Sequence, residues 1–514
     1  MAPCINMKDF FRVSFLFFSC LLATVPGVSA QNQGDRLSNL KTVMPAIDSI
    51  CREYVAQHHL PSLVVGLVAD GKLIHTFNAG ELDLGKKNAA NSQSVYRIAS
   101  MTKSVAALAI LQLRDAGKLK LDDPVSQYIP EIKGQRLTTD APEITIRHLL
   151  THAAGFPEDN PWGDRQLAIS DKTMLAMFKK GISFSNVPGI AYEYSNMGFA
   201  MLGYIITKVS GQPYQTYTQQ KIFTPLGMTS TYWDYAKVPA GQLAHGYRWL
   251  NGQWVEQPML GDGAYGAMGG LLTSIDDFSK YVGLHLSAWP ARNDQESPVI
   301  KRSSLREMHQ GVNISTFNPN AARANGQPCP QVAAYGYGLR WAKDCDQKVS
   351  VGHSGGLPGF GSNWNMLPDY GIGIVSFSNL TYAPASSLNR LLIDKLVAAA
   401  KLPPKPLPVS SILNQRKNEL VGLLPDWNNA AAQAIFAENF FLDYFPDQLR
   451  QEATAIFAKA GKIVKVGELI PENNLRGYFV LVGEKADIEV SFTLSPENPP
   501  LIQEYNIREL PKTK

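Results

Sequence analysis

Charge is sparse in this chain: Asp, Glu, Lys and Arg make up 18% of 514 residues and leave a formal net charge of only +4. The cations are scattered. No basic stripe interleaved with aromatics is present to track a phosphate backbone, which argues against nucleic acid as a partner. Long apolar runs are also lacking. The run at 13–23 is shorter than the ~20 residues a bilayer span requires and breaks at Pro26-Gly27, so no span is expected once a leader is removed. Cysteine is rare, five in all, and no histidine follows position 353.

The early apolar run reads as an export signal. Lys8 and Arg12 precede it, and Val28-Ser29-Ala30 closes it in a small-x-small cleavage pattern, so 1–30 is expected to be removed and the mature chain to be periplasmic or secreted. Removal leaves Cys51, Cys329 and Cys345 in an oxidising compartment. Cys329 and Cys345 are the expected pair, closing a short loop around Tyr335-Gly336-Tyr337-Gly338 that is read as a strand; such closure is worth on the order of 3 kcal/mol. Cys51 is expected to be buried on a helix.

The remainder is an ordinary globular composition, 45% hydrophobic. Leu40, Val43, Ile47, Ile50 and Tyr54 recur at helical spacing, which predicts an amphipathic helix over 37–58. Runs at 62–68 and 72–77 flank Asp70-Gly71 and predict a β-hairpin. A short strand at 95–98 leads into a helix over 100–116, which Gly117 caps. From 119 to 308 the pattern is helices separated by Pro- and Gly-rich loops. Strands return at 337–341, 362–367 and 371–378, and a helix over 385–400 closes the unit. The expectation for 31–402 is therefore α+β: an antiparallel sheet completed by distant segments, with a helical insertion. The Pro-rich stretch 403–408 reads as a stiff linker. Beyond it, 409–514 reads as a small α+β domain, helical through 430–460, with strands at 462–466, 477–482, 488–494 and 502–507. Its outline is roughly that of a cystatin or a nuclear transport factor.

Three short motifs carry chemistry. In Ser100-Met101-Thr102-Lys103, helical spacing brings the Lys103 amine back to the Ser100 hydroxyl, and a lysine in a dry site loses much of its basicity and can act as a base. The spacing by itself is weak, since Ser38 and Lys41 share it; Ser100 is distinguished by following a strand and opening an apolar helix. Tyr194-Ser195-Asn196 lies in a loop before a helix beginning near Gly198. Tyr194 can pass a proton to a leaving group if nearby ammonium charge lowers its pKa, and Asn196 can hold the lysine and a substrate carbonyl. His353-Ser354-Gly355-Gly356 enters a glycine-rich stretch beside strands, where backbone can approach substrate. His353 and Gly355 are candidate substrate-binding residues, and the backbone amides of Ser100 and Gly356 are the candidate oxyanion hole. His309-Gln310-Gly311 repeats the His-x-Gly spacing but follows a helix that Gly311 is expected to cap.

With these motifs in this order, together with Tyr96-Arg97-Ile98-Ala99, the segment from Ile146 to His152 and that from Gly269 to Ser274, the chain resembles the serine β-lactamase and penicillin-recognising hydrolase superfamily. It is most like class C β-lactamases, D-alanyl-D-alanine carboxypeptidases, D-aminopeptidases and related esterases, over roughly 38–400. The resemblance implies an antiparallel sheet flanked by helices with a helical subdomain. It implies acyl transfer through Ser100, Lys103, Tyr194 and Asn196, with no cofactor or metal and a small-molecule or peptide substrate. The departure is His353-Ser354-Gly355 where class C β-lactamases carry Lys-Thr-Gly. A lysine offers substrate a constant positive charge and a histidine does not, so ester cleavage is expected to outpace lactam turnover.

Two other enzyme readings use the same residues. Gly352-His353-Ser354-Gly355-Gly356 fits the Gly-x-Ser-x-Gly elbow of α/β-hydrolases, with Ser354 as nucleophile, but that triad needs a later histidine. His148 and His152 have zinc-ligand spacing, but Leu149 stands where the catalytic glutamate belongs and no third ligand is evident, so both are read as packing histidines. A non-catalytic sensor of β-lactams or cell-wall fragments would use the same pocket without turnover.

Overall fold

The computed structural model describes residues 33–323, 326–430 and 433–512; the expected leader lies outside them. A nine-stranded antiparallel sheet forms the frame. Its strands are β1 (Ser62–Ala69), β2 (Lys72–Asp83), β3 (Asn88–Ala89), β4 (Asn313–Asn318), β5 (Gln331–Tyr335), β6 (Arg340–Lys343), β7 (Val349–Leu357), β8 (Phe360–Leu367) and β9 (Ile372–Ser378). They lie in the order β3-β2-β1-β9-β8-β7-β6-β5-β4. The β1–β2 hairpin turns on Asp70 and Gly71, both at positive φ, the turn the Asp-Gly pair predicts.

Both faces of the sheet are covered, and β1 shows why its sequence is a continuous apolar run. Leu63, Val65, Leu67 and Ala69 pack under α1 (Gln33–Gln57) and, across β9, toward a C-terminal helix of this unit, Ala385–Ala399. Val64 and Val68 face the opposite core. At Gly66 an added Cβ would lie 2.6 Å from Ile275 Cγ2, so a helix over Ile275–Leu286 can seat directly on the strand. The opposite core is organised by α2 (Thr102–Asp115), whose apolar stretch from Val105 to Leu111 is buried throughout, along with Thr102, Lys103 and Ser104. In chain order the other helices used below are α3 (Asn196–Ser210), α4 (Ile275–Leu286) and α5 (Ala385–Ala399).

Several expectations are corrected by the structure. The α-helix expected from Ser100 begins at Thr102, within the nucleophile motif, because 99–101 form a tighter 3-10 turn. Tyr335-Gly336-Tyr337-Gly338 is not a strand: Tyr335 ends β5, Gly338 has φ +66, and the chain reverses into β6. His353 and the glycine-rich stretch it enters, expected beside strands, lie within β7 itself. The expected helical insertion also contains a hairpin, Gly246–Leu250 with Gln253–Gln257, turning on Asn251-Gly252. Gly311 is no helix cap. The helix Arg302–Met308 ends with His309 at its C-cap, and Gly311 is required because a Cβ there would meet Ala334 at 2.8 Å. Cys329 and Cys345 are disulfide-bonded, and Cys51 is buried on α1.

After the Pro-rich stretch, α6 (Ser411–Val421) and α7 (Pro446–Ala460) pack on a second antiparallel sheet. Its strands β10 (Ile463–Val466), β11 (Arg476–Gly483), β12 (Asp487–Leu494) and β13 (Ile502–Leu510) follow chain order, with Ile470–Pro471 alongside β11. Among the described residues of 430–460 the helix is interrupted, with Phe440–Asp443 and α7 the α-helical parts. This unit has its own core around Trp427, Phe440, Phe479 and Phe492. The 403–408 stretch is pinned to the first sheet: Lys405 Nζ lies 2.5 Å from Asp70, and its amide donates to the Asp369 carbonyl. No described helix is long and apolar enough to cross a membrane.

A buried imidazole chain in the first unit sets a pH limit. Trp289 Nε1–H donates to His309 Nδ1 at 3.0 Å, which leaves His309 Nε2–H to donate to His285 Nδ1 at 2.8 Å. Protonating His285 would set two N–H groups against each other. Burial holds both imidazoles neutral, His309 down to about 3. Folded pKa values below the unfolded value mean that stability is complete above about pH 6.5 and falls as pH drops from there toward 3. Thermal midpoints measured from pH 7 to 4.5 are expected to decline steeply, and less steeply in His309→Gln. Parallel declines in the two proteins would contradict this assignment.

Candidate active site

Ser100 sits in the turn Ala99–Met101, between a short strand and α2. Ala99 has φ +49, a costly conformation for a residue with a Cβ, and this sharp corner sets Ser100 at the head of the helix. The corner is held from behind. The strand Tyr96–Arg97 pairs with Leu272–Thr273, and the buried Arg97 guanidinium donates to the Gly270 and Leu260 carbonyls at 2.7 and 2.5 Å. Two of the flanking sequence motifs thus support each other.

Lys103 is fully buried, and its Nζ lies 3.0 Å from Ser100 Oγ, 2.7 Å from Asn196 Oδ1 and 2.8 Å from the Met268 carbonyl. These three neighbours match a neutral amine well: two N–H groups satisfy Asn196 and Met268, and the lone pair faces the serine hydroxyl. Burial brings the amine down to about 7, against the upward pull of Asp159 and Asp164 and with a further push from Arg340.

Asn196 is the first residue of α3, so the helix starts two residues earlier than the sequence indicated, with Ser195 as its N-cap. Asp159 accepts from the Asn196 and Met197 amides at 2.6 and 2.8 Å, and Asn196 Nδ2 donates to Asn160. Tyr194 is buried with its ring 4.9 Å from Lys103 Nζ and its phenol hydrogen-bonded to Ser100. Its pKa is raised by burial, with the Ser100 bond and Arg340 opposing. The lowering by nearby charge on which the expected proton transfer was conditioned is outweighed here by desolvation, even with Arg340 close by. His152 clamps this loop, its Nδ1 accepting from the Ser195 amide at 3.1 Å and its carbonyl accepting from the Glu193 amide. His148 closes a capping box with Thr145 on its own helix.

His353 stands behind the front row. Its Nδ1–H donates to the Ser354 carbonyl at 2.6 Å, so Nε2 accepts from the Tyr335 hydroxyl at 2.8 Å. Burial, with Arg340 and Lys103 nearby, drives its pKa well below the usual value, and the imidazole is neutral. It packs 6.3 Å from the Tyr194 ring and supplies no charge. Gly355 serves close approach: a Cβ there would lie 2.1 Å from the Ile98 carbonyl and 3.1 Å from Ala99 Cβ, which lets β7 run against the nucleophile turn. Residues 353–357 pair with β8 alone, since β6 reaches only to Gly352, so the other edge of β7 is unpaired beside Ser100. Gly356 lies on this stretch. Ser354 is mid-strand, its Oγ accepting from Asn363, and β7 continues through it without the elbow and helix that its use as nucleophile requires.

The structure adds Arg340, which sequence reasoning missed. It opens β6, its guanidinium lies over the Tyr194 ring at 5.7 Å and bonds the Tyr192 phenol, and it makes no ion pair among the described residues. Only its fold into a cleft formed by distant segments marks it; nothing in its local sequence does. Asp159 opens a loop whose sequence reads as a wall of the pocket, but its hold on the Asn196 and Met197 amides is set by tertiary contact alone.

A family model described as "Beta-lactamase" matches residues 47–398, and the chain belongs to this family. Protein flp of Staphylococcus aureus (strain COL) is 30% identical over 387 residues, covering 73% of this chain and 70% of that protein. Beta-lactamase-like protein 2 of Dictyostelium discoideum is 29% identical over 294 residues, 55% of this chain and 52% of that protein. Among solved structures, the octameric penicillin-binding protein homologue from Pyrococcus abyssi superposes with a TM-score of 0.57 at 22% identity, over 88% of this chain and 91% of that one. The fold is that of the serine β-lactamase and penicillin-binding protein superfamily, a generally hydrolytic class.

Proposed function

We propose that the exported mature chain is a serine hydrolase that forms an acyl-enzyme on Ser100 with a carboxylate-bearing amide, lactam or ester. The observation that carries this reading is the neutral-prone Lys103 amine 3.0 Å from Ser100 Oγ in a dry cleft. In the first step the Ser100 oxygen bonds to the substrate carbonyl carbon and its proton passes to Lys103 Nζ. The resulting oxyanion is held by the Ser100 and Gly356 amides. On collapse the leaving group takes a proton from the Tyr194 phenol, which Lys103 restores; water then repeats the sequence to release the acid.

Arg340 modifies the expectation drawn from the third motif. The neutral, buried His353 gives substrate no charge, but Arg340, which makes no ion pair among the described residues, places a cation at the same end of the cleft. That favours substrates with a carboxylate beyond the scissile bond, whether peptide, lactam or ester. A parallel screen of a D-alanyl peptide, a chromogenic cephalosporin and neutral and carboxylate-bearing nitrophenyl esters tests the reading. Arg340→Gln is expected to raise KM for the charged ester about 10- to 100-fold, the worth of one charge-assisted bond. The neutral ester should change less than threefold. Equal effects on both esters would remove Arg340 from substrate recognition, and binding without turnover of any of the four would favour a sensor.

A further inference from the structure

We infer that Asp164 and Tyr382 form a clasp across the mouth of the Ser100 cleft that limits the bulk a substrate can carry on its acyl side. The inference rests on the proposed hydrolase reading. Tyr382 lies in the loop after β9, at φ +51, a left-handed conformation unusual for an aromatic residue. Half of its surface is exposed, yet its hydroxyl donates to Asp164 Oδ2 at 2.6 Å, joining segments 218 residues apart. Asp164 is 3% exposed.

Each end of this bond touches a different wall of the cleft. On the sheet side the Tyr382 ring lies against Gly356, where a Cβ would come within 2.6 Å of its Cδ1. The absence of a side chain at Gly356 is thus needed for the ring to lie over the strand edge proposed to hold the oxyanion. On the helical side Gly163, next to Asp164, packs against Asn196, with a built Cβ 2.9 Å from Asn196 Cβ. Asn196 in turn accepts from Lys103. The clasp therefore runs from the oxyanion strand to the helix that holds the base, and beneath it Ser100 is only 9% exposed.

A substituent on the acyl carbon, next to the oxygen held at Gly356, must displace the Tyr382 ring or pass beside it. Small acyl groups fit under the closed clasp; bulky ones require the Tyr382–Asp164 bond to open. Neither residue takes part in the proton transfers, so the consequence is discrimination rather than chemistry.

The test compares nitrophenyl esters with one leaving group and either an acetyl or a naphthoyl acyl group, in the wild type, Tyr382→Phe and Tyr382→Ala. The ratio of kcat/KM for naphthoyl over acetyl is expected to rise at least tenfold in Tyr382→Ala and severalfold in Tyr382→Phe, which keeps the ring and loses only the bond. A ratio within threefold of wild type in both variants overturns the clasp. Should no ester be turned over and Ser100 remain unlabelled by a fluorophosphonate, the hydrolase reading fails separately. Hydrogen exchange then decides the clasp: faster exchange at 159–166 and 379–384 in Tyr382→Phe supports it, and unchanged exchange overturns it.

Discussion

Replacing Ser100 with alanine is expected to lower kcat by roughly 10⁴-fold or more, the scale seen when a nucleophile acting as part of a catalytic unit is removed. The Ser100 hydroxyl is the hydrogen-bond partner of both Lys103 and Tyr194, so no other hydroxyl in the cleft can take its place without moving both. The same substitution should abolish the mass increment left by a fluorophosphonate probe, which peptide mapping would otherwise place at position 100. Alanine removes one oxygen from a side chain already seated in a well-packed turn, so the thermal midpoint should move little. Retained turnover in Ser100→Ala, or label found on Ser354 instead, would break the assignment at its root.

Lys103 gives the second large effect and a pH signature. A base must be neutral to accept the serine proton, and the Lys103 amine is brought down to about 7 by burial. Below that pH kcat/KM should fall about tenfold per unit as the amine protonates, and above it the profile should level off. Lys103→Arg keeps a cation in place but cannot lose its proton at these pH values, and is expected to cost about 10²- to 10⁴-fold in kcat/KM at pH 8. Stability should also rise with pH, over a higher window. Because the folded pKa lies below the unfolded value, stability rises as pH increases from about 7 toward the ordinary lysine range, and the cost of burying this amine is carried at and below neutrality. Lys103→Met is therefore expected to be inactive yet to melt at a higher temperature than wild type at pH 7. A pH profile flat between 6 and 8, or a less stable methionine variant, would show that the lysine is not the buried base described.

Much of the frame was legible because its signals are local. The Asp70-Gly71 turn, the apolar spacing of α1 and the Gly117 cap each depend on a few adjacent residues, and each appears in the structure as read. The Asn251-Gly252 turn carried an equally local signal that the helical reading of the middle segment overrode. Pairing was legible only in part: β5 and β6 are short, and the Gly336–Gly338 reversal between them was taken as a strand because its tyrosines are strand formers.

In the site, the residue types and their order along the chain could be read directly, and the strand before Ser100 and the apolar stretch after it set this serine–lysine pair apart from Ser38 and Lys41, which share its spacing. By itself the sequence pointed to Ser100 with Lys103, to Cys329 and Cys345 as the cysteines that could close a loop, and to an α+β unit followed by a smaller one. Only the tertiary structure decided the electrostatics. That His353 is neutral behind Tyr335, that Tyr194 is raised rather than lowered, and that Arg340 and the Asp164–Tyr382 bond frame the cleft all follow from burial and from contacts between segments far apart in sequence. Desolvation and Coulombic coupling depend on distance in space, and the order of residues along a chain does not contain it.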